Sequence, residues 1–136
     1  MIFVDTGPLL ARYLANDALH ERAGRIWKNL RRTPILTTNH VLDEVFTLVA
    51  RRAGYSFAVD RAEAVYRSSA LEIIFSTKDD EVAALRWMRK YSDHHVSFTD
   101  CTSFAVMHRL GVRRAFSFDH HFELAGFQTL KVHDTP

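Results

Sequence analysis

Cysteine is almost absent from this sequence, and proline and glycine are scarce. The single cysteine, Cys101, cannot form an intramolecular disulfide, which favours a reducing compartment and a structural role for a buried thiol. With three prolines and five glycines in 136 residues, we find no flexible linker and no low-complexity tract. No apolar run approaches the ~20 residues of a transmembrane helix, and no basic leader precedes the first apolar residues. We therefore predict one cytoplasmic domain over residues 1–136.

The residues that are present suit a folded domain with a mildly basic surface. Hydrophobic residues make up 47% of the chain and charged residues 25%, which is enough for a substantial core. The formal net charge is +2. If several acidic residues neutralise a bound cation, the rest of the chain carries a larger positive charge. A net positive charge favours a polyanionic partner. Any single Lys or Arg on an exposed helix is, by contrast, explained as an ordinary solvated side chain.

Short apolar runs alternate with longer segments of helical period. Strands separated by helices predict parallel pairing and a sheet covered on both faces. The fold class is therefore α/β, a three-layer α/β/α sandwich with a mostly parallel central sheet. The predicted strands are Ile2–Val4, Ile35–Thr38, Leu71–Phe75, Ala115–Phe118 and Thr129–Val132.

Three aspartates follow apolar runs where these runs end. Asp5 comes directly after the first run, Asp119 follows Phe118, and Asp100 follows Val96–Thr99 at the start of a helical segment. Each has an ordinary explanation as a helix cap, and we expect Thr99 or Asp100 to cap the helix that begins there. Ligands of open parallel sheets bind beyond the carboxyl ends of the strands. The three aspartates are therefore candidates for one edge of the sheet.

A fourth carboxylate comes from the helix that we expect Asn39 to cap. At 100° per residue its apolar residues form one face, and Asp43 points away from that face toward solvent. Glu44 lies at the border of the face, in line with Leu48 one turn later. We therefore prefer Glu44 to Asp43 as a site residue.

Four carboxylates at one edge would repel one another. A pair about 4 Å apart costs about 4 kcal/mol at an effective dielectric near 20, so the cluster requires a cation or raised pKa values. Oxygen ligands without thiolates favour Mg²⁺ or Mn²⁺, which suits phosphodiester hydrolysis. Zinc is the alternative, because His94, His95, His120 and His121 flank Asp100 and Asp119. Adjacent histidines diverge in most backbones, and neither H-x-x-x-H nor a cysteine pair is present.

Four segments resemble those of PIN-domain ribonucleases, in particular the small VapC-type toxins. They are IFVDT at residues 2–6, TTNHVLDE at 37–44, YSDHHVSFTDCTSFAVM at 91–107 and FSFDHHFELAGF at 116–127. Together they extend over nearly the whole chain. The resemblance implies a metal-dependent endoribonuclease with the three-layer sandwich and an acidic site.

The resemblance also implies particular residues and partners. The site carboxylates would be Asp5, Glu44, Asp100 and Asp119, with Asp5, Asp100 and Asp119 as ligands of Mg²⁺ or of Mn²⁺ in its place. Thr6, Asn39 and Ser103 match polar positions near the family's site and would orient carboxylates or waters. RNA would be the substrate, a homodimer is common, and a cognate antitoxin protein would block the site.

Three other functions fit part of the sequence. The triplet Asp5-Thr6-Gly7 occurs in aspartic proteases, which are all-β enzymes. A phosphoacceptor receiver domain also gathers acidic residues and Mg²⁺, but it needs a lysine beyond its last strand, where this chain offers only Lys131. A catalytically weak PIN domain that binds RNA or protein is the third, and the complete set of four carboxylates argues against it.

Overall fold

A parallel sheet of five strands forms the centre of the computed structural model, which describes residues 1–132. The strand order is β3-β2-β1-β4-β5, and every neighbouring pair is parallel. The strands are β1 (Ile2–Val4), β2 (Ile35–Thr38), β3 (Leu71–Ile74), β4 (Arg114–Phe116) and β5 (Gln128–Thr129). Because β1 is central and the order reverses there, a crevice opens beyond the carboxyl ends of β1 and β4.

Seven helices surround the sheet within the described part of the chain. They are α1 (Thr6–Tyr13), α2 (His20–Asn29), α3 (Asn39–Ala53), α4 (Tyr55–Arg67), α5 (Lys78–Lys90), α6 (Phe98–Leu110) and α7 (His121–Leu124), with a 3₁₀ turn at Ser92–His94. No helix in residues 1–132 is long and apolar enough to cross a membrane.

Two hydrophobic clusters cover the two faces of the sheet. Phe3 belongs to the larger cluster, beside Phe104 and Phe122, whereas its neighbour Ile2 packs in the smaller one with Ile26. This alternation is what a strand between two helical layers requires. The predicted three-layer α/β/α sandwich is confirmed, and the all-β architecture of aspartic proteases is excluded.

The strand predictions are correct in position and differ at their ends. β1 and β2 have the predicted bounds, whereas β3 stops before Phe75, whose side chain is 62% exposed. β4 begins one residue earlier than predicted and ends at Phe116, because the chain bends at Phe118. The last strand is shorter and earlier than predicted, at Gln128–Thr129. Edge strands gain pairing on one side only, so their ends are weakly specified.

The predicted helix caps at two positions are wrong by one to three residues. The hydroxyl of Thr38 accepts from the N–H of Val41 and caps α3, so Asn39 is the first helical residue. The hydroxyl of Ser97 accepts from the N–H of Asp100 and caps α6. Val96–Thr99 therefore does not form a strand, and Asp100 lies inside the first turn of the helix. Thr38 and Ser97 have the extended backbone that a cap residue requires, whereas Asn39 and Asp100 are already helical.

Cys101 is buried in α6, as expected of a structural thiol. Burial, with the nearby Asp100 carboxylate, raises the pKa of the Cys101 thiol to about 11. A thiol that stays protonated at neutral pH is a poor nucleophile.

An ion pair between a buried carboxylate and an exposed arginine joins α5 to α6. Asp80 is 3% exposed, and its two carboxylate oxygens accept from Nε and Nη2 of Arg109 at 2.7 and 2.9 Å. The same carboxylate accepts from the N–H of Thr77, whose hydroxyl accepts from the N–H of Asp80, which completes a capping box. The hydrogen bond from Arg109 holds the pKa of Asp80 below its ordinary value, although burial opposes this.

We expect Asp80→Asn to lower the free energy of unfolding by about 2 kcal/mol at pH 7, since the amide keeps a cap acceptor but loses the ion pair. A carboxylate with a lowered pKa stabilises the fold above its unfolded pKa near 3.9, and this contribution is lost as pH falls through the lower folded pKa. The difference between wild type and Asp80→Asn should therefore shrink below about pH 4. Urea unfolding at pH 7 and in acid measures this difference in the free energy of unfolding. Asp79→Asn, which changes an exposed neighbouring residue, is the control. A loss of stability in Asp79→Asn as large as in Asp80→Asn would contradict the prediction.

Candidate active site

Asp5 lies at the carboxyl end of β1, directly beside the end of β4. Val4 pairs with Phe116 in the sheet, and the N–H of Asp5 donates to the carbonyl of Phe116 at 3.0 Å. The register therefore brings Asp5 opposite Ser117, whose hydroxyl donates to Oδ2 of Asp5 at 2.7 Å. Asp5 occupies the cap position of α1 without capping it, and its Oδ1 is buried with no hydrogen-bond partner.

Asp119 is held by the turn that leads from β4 into α7. Its N–H donates to the Ser117 hydroxyl at 3.0 Å, and its Oδ1 accepts from the N–H of His121 at 2.9 Å. Ser117 thus contacts both Asp5 and Asp119 and fixes their spacing. The side chain of Asp119 keeps 35% of its surface exposed and faces the cleft.

Asp100 reaches the same place from α6. It is 8% exposed, and its carboxyl group is hydrogen-bonded to that of Asp119. The positive end of the α6 macrodipole favours a negative charge at this first-turn position. Asp5, Asp100 and Asp119 therefore converge from a central strand, a helix start and a neighbouring strand.

Glu44 lines the same cleft from α3. The cleft has a volume of about 350 Å³, and it is lined by Asp5, Thr6, Gly7, Leu10, Glu44, Leu48, Ser97, Asp100, Phe118 and Asp119. Asp43 is exposed and is absent from this lining among the described residues. The helical phase expected from the sequence thus places Glu44, and not Asp43, beside the three aspartates.

Burial and the proximity of the carboxyl groups shift the pKa values of the three aspartates. Burial raises the pKa of Asp5 to about 6, and the carboxylates of Asp119 and Glu44 add to the rise against the Ser117 hydrogen bond. Burial, together with the neighbouring carboxylates, raises the pKa of Asp100 well above its ordinary range. Burial also acts on Asp119, but the His121 N–H and the contact with Asp100 lower its pKa overall. Within this pair, burial and charge repulsion therefore favour the neutral form of Asp100 and the charged form of Asp119.

The three polar residues predicted near the site occupy different surroundings. Thr6 lines the cleft, and its hydroxyl is buried without a hydrogen-bond partner. The side-chain oxygen of Asn39 accepts from the N–H of Ser76, beyond β3. The hydroxyl of Ser103 donates to the carbonyl of Thr99 within α6. The structure thus brings Thr6 to the carboxylates, whereas neither Asn39 nor Ser103 lines the cleft among residues 1–132.

Two residues beside the carboxylates were not among the predicted site residues, although His121 was one of the histidines considered for zinc. Ser117 bridges two of the aspartates, and its only sequence signal is its position between Phe116 and Phe118 directly before Asp119. His121 lies with Nδ1 3.2 Å from Oδ1 of Asp119 and 3.7 Å from Oδ2 of Asp100, without a hydrogen bond. The sequence gave no indication of which of the adjacent residues His120 and His121 would face the carboxylates.

The expectation that the adjacent histidines diverge is wrong for one pair. The rings of His120 and His121 lie 4.4 Å apart, because both belong to the turn that opens α7. Asp119, His120 and His121 offer ligand atoms within 4.8 Å of one another. His120 is exposed, and this trio overlaps the carboxylate cleft rather than forming a separate site.

The donor set of the cleft suits a hard divalent cation. The charged groups of the cleft are four carboxylates. Two buried oxygens of the cleft, Oδ1 of Asp5 and the hydroxyl oxygen of Thr6, have no hydrogen-bond partner. Buried polar atoms are normally hydrogen-bonded, so two unpaired oxygens beside a carboxylate cluster fit a cation with its waters. The lysine that a receiver domain needs is not in the cleft, since Nζ of Lys131 pairs with Glu123 at 2.9 Å.

Comparison with known proteins agrees with this architecture. The model of the PIN domain family matches residues 2–128. A curated relative from Mycobacterium tuberculosis, the 23S rRNA-specific endonuclease VapC20, is 41% identical over 127 residues, which cover 93% of this chain and 95% of the relative.

Solved structures give the same result for the fold. The crystal structure of M. tuberculosis VapC20, described as a Sarcin-Ricin loop cleaving toxin, matches with a TM-score of 0.89 and 39% identity over 96% of this chain and 99% of its own. FitAcB from Neisseria gonorrhoeae shares the fold, with a TM-score of 0.68 and 15% identity over 97% of this chain and 98% of its own. From its sequence and its fold, the chain belongs to the PIN-domain family of nucleases.

Proposed function

We propose that this protein is a Mg²⁺-dependent endoribonuclease and the toxin of a toxin-antitoxin pair. The observation that carries the proposal is the convergence of four carboxylates in one cleft at the point where the strand order reverses. The chain's likeness to a relative named as a 23S rRNA-specific endonuclease supports RNA as the substrate and makes ribosomal RNA the first RNA to test.

In this proposal Asp5, Asp100 and Asp119 hold the cation. When bound, Mg²⁺ supplies a charge that stabilises the negative charge developing on the phosphate, and Mn²⁺ can replace it. Ser117 and the His121 N–H hold the carboxylates of Asp5 and Asp119 in fixed positions. Burial and the neighbouring carboxylates disfavour the charged form of Asp100, and a bound cation would favour that form.

Glu44 has a separate role in the proposal. It lines the cleft from α3 but is exposed, so it contacts water more readily than the buried aspartates. An exposed carboxylate at the mouth of the site is suited to orient the attacking water and accept its proton. Thr6 presents its free hydroxyl to the same cleft and is suited to bind a water there.

Two partners belong to the proposal on the strength of the family resemblance. An antitoxin would inhibit the enzyme by inserting an Arg or Lys among the four carboxylates, where a charge-assisted hydrogen bond replaces the cation. A homodimer is the other expected assembly.

Incubation of the purified protein with total RNA tests the activity. We expect discrete cuts in the presence of Mg²⁺, their loss on addition of EDTA, and their return when Mg²⁺ is added in excess. Mapping the cut ends would identify the RNA and the cleavage site. Cleavage that EDTA does not reduce, or that a preparation of Asp100→Asn retains in full, would contradict the proposal.

A further inference from the structure

A second concave surface lies at the opposite edge of the sheet from the carboxylate cleft. Two cavities of about 650 and 290 Å³ adjoin there and share Arg12, Trp27, Ile35 and Ala70. Ile35 begins β2 and Ala70 directly precedes β3, so the surface lies beyond the amino ends of these strands. We refer to these two adjoining cavities as the basic groove.

Cations alone supply the charge of the basic groove. Its charged side chains are those of Arg12, Lys28, Arg31, Arg32 and Arg61. All five are exposed, and no carboxylate is among the described residues that line the two cavities. Cations in such proximity repel one another and attract an anion.

These five cations also make no ion pair within residues 1–132, although other cations of the same chain do. Arg52 pairs with Asp17 at 2.9 Å, and Arg109 pairs with the buried Asp80. The basic groove differs from a surface of mixed charge because its lining within the described residues holds five cations and no carboxylate.

Aromatic rings support the cations along the basic groove. The guanidinium of Arg12 lies 4.7 Å from the ring centre of Trp27, and that of Arg61 lies 5.8 Å from the ring centre of Phe57. Trp27 is held in place, because its indole N–H donates to the carbonyl of Pro8 at 3.2 Å and its ring packs on Phe116. A fixed, partly exposed aromatic ring between cations is the combination that binds nucleic-acid backbones and stacks bases.

The basic groove and the carboxylate cleft are separated by the length of β2. Ile35 at one end of this strand lines the basic groove, and α3 with Glu44 follows the other end. Four residues of strand span about 13 Å. A single nucleotide cannot reach both surfaces, but a folded RNA with several phosphates can.

We propose that the basic groove is a second RNA-contact surface, which binds the phosphate backbone of a folded RNA while another part of that RNA occupies the carboxylate cleft. This inference rests on the proposed function. A small phosphate ligand fits less well, because the cations are exposed and spread over two cavities rather than enclosing one anion. RNA is favoured over an acidic protein segment because aromatic rings alternate with the cations.

Salt-dependent binding of a labelled RNA stem-loop tests the basic groove. Binding is measured in Asp100→Asn, so that the RNA stays intact, with and without the added pair Arg31→Gln and Arg32→Gln. Each phosphate contact contributes about 0.7 to 0.9 to the slope of log affinity against log salt. We expect the added pair to make the slope shallower by about 1.5 and to weaken binding by about tenfold near 0.1 M salt.

The matched control adds Arg86→Gln and Arg89→Gln on α5 instead, which removes the same charge elsewhere. We expect this control to leave the slope nearly unchanged. Equal slopes for the groove variant and its parent, or an equal loss in the control, would overturn the inference. So would a groove variant that binds RNA normally but no longer binds a poly-glutamate peptide, since the surface would then serve an acidic protein. Failure of the proposed function is seen separately, as the absence of RNA cleavage by the wild-type protein.

Discussion

Asp100→Asn is expected to reduce RNA cleavage by at least about 100-fold while leaving the fold intact. Loss of a carboxylate ligand removes charge stabilisation of several kcal/mol from the transition state, and each 1.36 kcal/mol is about tenfold in rate. Burial and the neighbouring carboxylates favour the neutral form of Asp100 in the absence of a cation, and asparagine matches that form in shape and charge. The metal-free stability should therefore change little. Initial rates on a defined RNA and urea unfolding in EDTA measure the two effects.

Thermal unfolding across a titration of Mg²⁺ or Mn²⁺ distinguishes loss of a ligand from other causes of inactivity. A cation that binds only the folded state at 100 times its dissociation constant stabilises it by about 2.7 kcal/mol. For a chain of this length the wild-type midpoint should rise by about 5 to 10 °C. The Asp100→Asn midpoint should rise less. An equal rise in both proteins would show that Asp100 is not a ligand.

Glu44→Ala is expected to reduce cleavage by at least about 100-fold, the range typical of a group that moves a proton in the reaction. Asp43→Ala should change it by no more than about twofold, because its side chain is exposed and lies outside the cleft lining. The two variants are matched, since each removes one exposed carboxylate from the same turn of α3. Initial rates at saturating and limiting RNA measure both. If the loss occurred in Asp43→Ala and not in Glu44→Ala, the assignment of Glu44 would be wrong.

The amino-acid sequence by itself predicted the fold class and the position of the cleft. Alternation of apolar runs with helical segments is a local signal, and parallel pairing follows from it because each pair of strands is separated by a helix. Asp5 and Asp119 directly follow two such runs, so their common edge was predictable before any contact was known. The choice of Glu44 over Asp43 was likewise available from the 100° rotation per residue.

Only the tertiary structure decided how the carboxyl groups interact. The hydrogen bond from Ser117 to Asp5 joins residues 112 positions apart in sequence, and it depends on the register of β1 with β4. The same Ser117 hydroxyl accepts from the nearby Asp119 N–H and so links the two aspartates. Several neighbouring residues could cap α6, and their cap propensities do not distinguish them. The hydrogen bond from the Asp100 N–H to the Ser97 hydroxyl identifies Ser97 as the cap. Protonation of Asp100 depends on burial and on nearby charges, both of which exist only once the sheet and α6 have packed together. Local pattern thus determined which residues reach the edge of the sheet, whereas distance and burial in the folded chain determined their chemistry.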